Sequence, residues 1–230
     1  MSISAREAGP ITTLTLDDGK VNAMDHAFFS NLEGALDDLA PGHAVVITGR
    51  EGMLSAGLNT KELAALDEDG LVDLLVAFGA TMLRVWLEPR PVVVAATGHA
   101  VAGGTILALC ADHAVAAAGD YRWGLTETTI GFPLPEWVIA IARGSVRTDR
   151  LDDLLLPGAL VTPDEAVEAG FADVVAPPAQ VVEVAQARAQ ALAGLPGAAY
   201  AETKRRLRGR AAEAARERMP AEVRALVAAR

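Results

Sequence analysis

Apolar and polar positions alternate in Ile11-Thr-Thr-Leu-Thr-Leu16, which reads as a strand, and Asp17-Asp-Gly-Lys20 reads as the turn after it. From Asp25 to Ala40 the period changes to that of a helix, with Phe28, Leu32, Ala35, Leu36 and Leu39 on one face. Ala44-Val-Val-Ile-Thr48, Val92-Val-Val-Ala-Ala96 and His113 to Ala117 are short continuous apolar runs, the pattern of strands covered on both faces. Leu71 to Leu87 is helical and stops before proline. Strands that alternate with helices predict crossover units and a largely parallel sheet. After residue 135 strand signals fade. Thr162-Pro-Asp-Glu165 is a capping box with proline at the first helical position, and Gly170 stops that helix. Pro177-Pro178 opens a long alanine-rich helix and Pro196 opens another, so the last third reads as a helical module beginning between Glu136 and Val146.

Composition narrows the class. The 230 residues suffice for one sizeable core or two modest ones, and 51% of them are hydrophobic. No apolar run reaches the roughly 18 to 20 residues of a membrane span. The start, MSISAREAGP, lacks the basic and apolar regions of a secretory signal. One cysteine, Cys110, excludes an internal disulfide framework and fits a reducing cytoplasm, the expected location; its apolar helical setting makes it a small buried hydrophobe. A net charge of -10 without a basic stripe argues against nucleic-acid binding. His26, His43 and His113 share no metal-ligand spacing, so no metal site is expected.

The chemistry gathers around glycine. Gly98-His-Ala-Val-Ala-Gly103-Gly104 lacks the middle glycine of a dinucleotide fingerprint, and no lysine precedes Thr105 as a P-loop requires. Two readings remain: a strand-to-helix turn whose free amides face a developing negative charge, or close packing of helix on sheet. A second segment, Leu54-Ser-Ala-Gly-Leu-Asn-Thr-Lys-Glu-Leu63, also follows a buried strand and leads into a helix. Two such turns bring two backbone amides to one edge of a parallel sheet, where ligands bind. Together with Lys20-Val-Asn-Ala-Met24, Gly124-Leu-Thr-Glu-Thr-Thr-Ile-Gly131 and Thr162 to Val175, these segments resemble the crotonase superfamily, also called the enoyl-CoA hydratase/isomerase family. The resemblance covers most of the chain, with five motifs in register.

The resemblance implies an α/β fold, with residues 1–140 as a crotonase-type β/α spiral core and 141–230 as a helical C-terminal and oligomerisation module. It implies an enzyme acting on acyl-CoA thioesters, with coenzyme A as part of the substrate and no tightly bound cofactor. It assigns the amides of Leu58 and Gly103 to an oxyanion hole. The two glutamates of the family's hydratases fall at Ile106 and Glu127, so one is missing. The segment around Glu127 resembles that of mitochondrial Δ3,Δ2-enoyl-CoA isomerases, which also carry an aliphatic residue at the first position. Isomerisation of 3-enoyl-CoA to 2-enoyl-CoA by Glu127 alone is therefore the first expectation. Burial among Ile106, Ile130 and Phe132 would raise its pKa to a useful value. Hydration of 2-enoyl-CoA is the alternative, should Glu136 turn inward; as an exposed first-turn residue it would not take part. A non-catalytic acyl-CoA binder is a second alternative.

For the coenzyme, the family's positions fall at Lys20, Val21, Ala23, Ala56 and Lys61. Ala64 to Leu83 is expected to wall the acyl tail. His99 reads as bonded to nearby backbone. The basic run from Lys204 to Arg218 either supplies phosphate contacts, as in relatives, or forms a solvated helix face. Relatives form trimers or pairs of trimers, and Val181 to Leu195 offers an apolar face for such assembly.

Overall fold

The computed structural model describes residues Ser2 to Ala229. The chain runs β1 (Ser2–Ala8), β2 (Ile11–Asp17), α1 (His26–Asp37), β3 (Ala44–Thr48), β4 (Gly52–Ser55), α2 (Thr60–Ala65) and α3 (Glu68–Trp86). It continues through β5 (Val92–Ala96), β6 (Gly98–Val101), α4 (Gly103–Cys110), β7 (His113–Ala117), β8 (Trp123–Gly124) and α5 (Glu136–Arg143). It closes with α6 (Leu151–Leu155), α7 (Pro163–Ala169), β9 (Val174–Ala176), α8 (Val181–Ala193) and α9 (Gly197–Ala228).

The strands form two sheets. The larger has the order β1-β2-β3-β5-β7-β9, antiparallel at β1-β2 and parallel elsewhere; the smaller is β4-β6-β8, all parallel. Each pass of the chain lays one strand in the large sheet (β3, β5, β7) and the next in the small one (β4, β6, β8). The path is a β/α spiral, as expected. The small sheet was not legible, because its strands have only two to four residues and carry no alternation. Nor was β9, a three-residue strand completing the large sheet beyond residue 135.

The apolar runs of β3 and β5 are buried at every residue because both faces of the sheet are covered. Val45, Ile47, Val92 and Val94 face the main core with α1, α3 and α4. Ala44, Val46, Val93 and Ala95 face Val181, Ala185 and Ala189 of α8. The apolar face of α8 is thus consumed inside the protomer, which corrects its assignment to subunit assembly. The wall expected from Ala64 to Leu83 is likewise not one helix. It breaks at Leu66-Asp67, where Asp67 accepts the Gly70 amide and starts α3.

The basic run of α9 is also revised. Lys204 is buried, and its Nζ donates to Glu88 O (2.7 Å), Arg90 O (2.8 Å) and Asp112 Oδ2 (2.5 Å). Arg208 pairs with Asp112 at 3.0 Å and donates to Trp86 O at 2.9 Å. These two residues are neither solvated nor free for phosphate; they fasten α9 to the ends of α3 and α4. From that anchor α9 runs along α3 and α5, burying Met219, Val223 and Val227 at helical spacing. The capping box forms as read, with Thr162 and Glu165 satisfying each other's amides and Gly170 left-handed at the end. Cys110 is fully buried, and desolvation pushes its thiol far above the usual range.

Candidate active site

The carboxyl ends of β4 and β6 in the small sheet bring two turns into contact. After β4, Leu58 forms a parallel bridge with Met24: Met24 N donates to Gly57 O, and Asn59 N donates to Met24 O, each at 2.8 Å. In that pattern the bridged residue's own N–H faces away from its partner strand, and among the described residues no protein group accepts from the Leu58 amide. After β6, Gly103 is the first residue of α4, ahead of the helix's bond from Ile106 N to Ala102 O, so its amide belongs to the orphan first turn.

The turns touch because of glycine. A Cβ on Gly57, whose φ is +89°, would lie 3.0 Å from Gly103 N, and one on Gly104 would lie 2.2 Å from Ser55 O. Ala102, just before Gly103, also has a positive φ of 50°, a conformation an L-residue adopts only when its surroundings hold it.

The segment from Lys20 to Met24 supports the first turn. Asn22 is buried; its Nδ2 donates to Leu16 O and Leu54 O, and its O accepts from Ser55 Oγ at 2.7 Å. Ser55 Oγ in turn accepts from Gly57 N at 3.1 Å. Composition gave no sign that Asn22 was structural; its place in a tight turn after a strand was the available signal.

Both turns open on a cavity of about 270 Å³. Ala56, Leu58 and Thr60 lie on one side, Ala102, Gly103 and Ile106 on another, and Leu71, Leu75 and Phe78 of α3 form a wall. Trp137 and Val138 of α5 and Val223 of α9 complete it. These last three were missed. Trp137 and Val138 sit in an amphipathic helix after two prolines, and Val223 belongs to the Met219, Val223, Val227 spacing, which was the readable signal.

Glu127 is the one carboxylate among the described lining residues. The residue as a whole is partly exposed, but its Oε2 is closed off from solvent and has no hydrogen-bond partner. Loss of solvation, opposed by a weaker bond to its own amide, raises its pKa from 4.5 to about 7. Ile106 (1% exposed), Phe132 and Pro135 supply the apolar surroundings, but Ile130 is 72% exposed and only borders the mouth, contrary to its expected part in burying the acid.

Glu136 does not turn inward. It begins α5 on the surface, where its carboxylate accepts from Arg218 Nη1 at 2.6 Å and its amide donates to Glu222 at 2.8 Å. His99 Nδ1 accepts from Arg122 N at 3.1 Å, the backbone contact expected of it.

Of the five coenzyme-site candidates, only Ala56 lines the cavity. Val21 is 43% exposed beside it, its carbonyl accepting from Ala56 N at 3.0 Å. Ala23 N donates to Asp18 at 3.1 Å. Lys20 and Lys61 are exposed, the first in the turn before Met24 and the second in the first turn of α2.

Comparison with known proteins adds sequence and fold. A family model described as enoyl-CoA hydratase/isomerase matches residues 6–229. A Thermus thermophilus protein named "Putative enoyl-CoA hydratase" is 36% identical over 194 residues, covering 81% of this chain and 76% of that protein. A crystal structure of an enoyl-CoA hydratase/isomerase family protein from Pseudomonas syringae superposes with a TM-score of 0.93 at 28% identity, covering 97% of each chain. Human mitochondrial Δ3-Δ2-enoyl-CoA isomerase superposes with a TM-score of 0.91 at 27% identity, covering 98% of this chain and 90% of that one. In sequence, this chain spans 64% of the full length of human mitochondrial enoyl-CoA delta isomerase 1.

Proposed function

The chain belongs to the enoyl-CoA hydratase/isomerase family, and from that premise we propose that it converts 3-enoyl-CoA to 2-enoyl-CoA with Glu127 as its single acid–base group. The observation that carries this reading is one carboxylate with a buried, unpartnered oxygen in an apolar cavity shared with two amides that no protein group among the described residues accepts from.

In this reading the thioester oxygen accepts from Leu58 N–H and Gly103 N–H. Glu127 takes a proton from C2, the electron pair moves onto the thioester oxygen as a dienolate, and the two amides stabilise that charge. By analogy with other oxyanion holes each donor contributes roughly 2.7–4 kcal/mol. The protonated Glu127 then delivers its proton to C4 as the double bond settles between C2 and C3. A pKa of about 7 suits both halves: near neutrality the group exists as base and as acid in comparable amounts.

Hydration would need a second group to manage the attacking water. Ile106 occupies the family's other acid position, and Glu136 is engaged with Arg218. The acyl tail lies against Leu75, Phe78 and Trp137. The pantetheine arm leaves past Ala56, Val21 and Ala23, and Lys20 and Lys61 meet the phosphates outside. Assembly as a trimer or pair of trimers, on a face other than that of α8, belongs to the same proposal and is read by sedimentation.

The test offers 3-hexenoyl-CoA and crotonyl-CoA separately and follows the conjugated thioester absorbance. Gain with the first and no loss with the second is expected. Rapid loss with crotonyl-CoA alone overturns the reading in favour of hydration, and binding of both esters without turnover overturns it in favour of a non-catalytic binder.

A further inference from the structure

Thr105 precedes Ile106 in the first turn of α4 and is completely shut off from solvent. Its hydroxyl lies 2.5 Å from Ala100 O and 3.1 Å from Gly124 O, and it accepts from Gly124 N at 3.0 Å. Ala102 N also donates to Gly124 O, at 2.8 Å. One buried hydroxyl therefore ties the β6–α4 turn, which presents the Gly103 amide, to the residue from which the chain climbs to Glu127. Among the described residues no side chain other than Thr105 hydrogen-bonds to Gly124.

We infer that Thr105 is a positioning residue, its hydroxyl holding the Glu127 segment in register with the Gly103 amide; this rests on the isomerase reading above. The physical reason lies in how closely the hydroxyl lets β6 and β8 approach it. Gly124 N–H also pairs with Ala100 O in the β6–β8 ladder, and a methyl in place of the hydroxyl cannot sit 2.5 Å from Ala100 O and 3.0 Å from Gly124 N, so the two strand ends must shift apart. Glu127 is three residues farther on. The turn on the other side is held in a positive-φ conformation at Ala102, so it has an unstrained alternative to relax into once the tie is cut. Neither the base nor the amide is altered chemically; their relative placement is.

Thr105→Val removes the hydroxyl and keeps the shape, and Thr105→Ser keeps the hydroxyl. Steady-state turnover of 3-hexenoyl-CoA, its pH profile and a carbon-13 titration of the Glu127 carboxyl are measured for both variants and the wild type. In Thr105→Val, kcat is expected to fall on the order of 100-fold with KM little changed, the cost of a small misplacement at a reacting centre. The Glu127 midpoint is expected to move down from about 7 as the carboxyl swings toward water. Thr105→Ser is expected to restore both. If Thr105→Val does not fold, Thr105→Cys, with its weaker acceptor, takes its place and should give an intermediate kcat. A folded variant that loses thermal stability but keeps the wild-type kcat and midpoint overturns the inference. A wild type that turns over no enoyl-CoA overturns the isomerase reading instead, and the titration comparison alone then decides the part of Thr105.

Discussion

Replacing Glu127 by glutamine separates what the carboxylate does for chemistry from what it costs the fold. The rise from 4.5 to about 7 means that the folded protein holds this proton more tightly than the unfolded chain does. Its contribution to stability is therefore full below pH 4.5 and is lost as pH climbs through 7, where the folded protein must carry a poorly solvated charge. At 1.36 kcal/mol per unit the loss amounts to about 3 kcal/mol. Glutamine carries no charge at any pH. Glu127→Gln should therefore match the wild type in stability near pH 4.5 and exceed it by about 3 kcal/mol at pH 8, or roughly 6–12 °C in Tm for a chain of this size. Turnover should fall by a factor of about 10² to 10⁴, the usual contribution of a positioned acid–base group. Urea melts from pH 4.5 to 8, with the turnover assay alongside, test both halves. A stability difference that does not grow with pH would refute the burial argument, and turnover within a few-fold of wild type would refute the assignment of the base.

The other expectations are more compact. Gly57→Ala puts a methyl 3.0 Å from Gly103 N at a φ of +89°, so it should lower kcat by about 10² or more through loss of one amide to the thioester oxygen, read by steady-state kinetics. Glu136→Ala should leave both turnover and its pH profile unchanged, since its carboxylate serves Arg218 on the surface; a changed acid limb would return Glu136 to the chemistry. Asp112→Ala leaves the buried Lys204 and the half-buried Arg208 without their shared counter-charge and should cost about 3–5 kcal/mol in urea unfolding. Ile106→Glu should confer hydration of crotonyl-CoA, measured as 3-hydroxyacyl-CoA formed, and the parent should show none.

What could be read from the sequence depended on how local the cause was. The strands of the large sheet announce themselves because covering both faces demands uninterrupted Val, Ile and Ala. The α7 capping box is legible because its two hydrogen bonds span three residues. Glycines 57, 103 and 104 were readable as a site because few side chains fit where two turns meet. Other features depend on partners far along the chain. The apolar stripe of α8 fits a subunit interface and the back of a sheet equally well, and only the tertiary structure shows the second. Lys204 and Arg208 look like any other charges on α9 until Asp112, 92 residues from Lys204, is placed beside them. Ile130 lies within the motif that carries Glu127, yet the left-handed turn at Gly131 leaves it outside.

The apolar character of the cavity bears on the choice of reaction as well as on the acid. In a site with two carboxylates, each raises the other's pKa by repulsion, and the pair shares protons in coupled steps. Here no second carboxylate lines the cavity among the described residues, so the rise on Glu127 comes from desolvation, opposed only by the bond to its own amide. A base made competent by the absence of water is poorly placed to recruit water as a nucleophile, because a water admitted beside it would resolvate the carboxylate and lower its pKa again. The proposed proton transfer between C2 and C4 has no such conflict: in that reading the substrate's own hydrocarbon keeps the site dry, and the two amides at Leu58 and Gly103 supply polarity only where charge develops. Ile106 thus does more than omit an acid. In the isomerase reading proposed above, its side chain keeps dry the surroundings that make Glu127 basic enough to act alone.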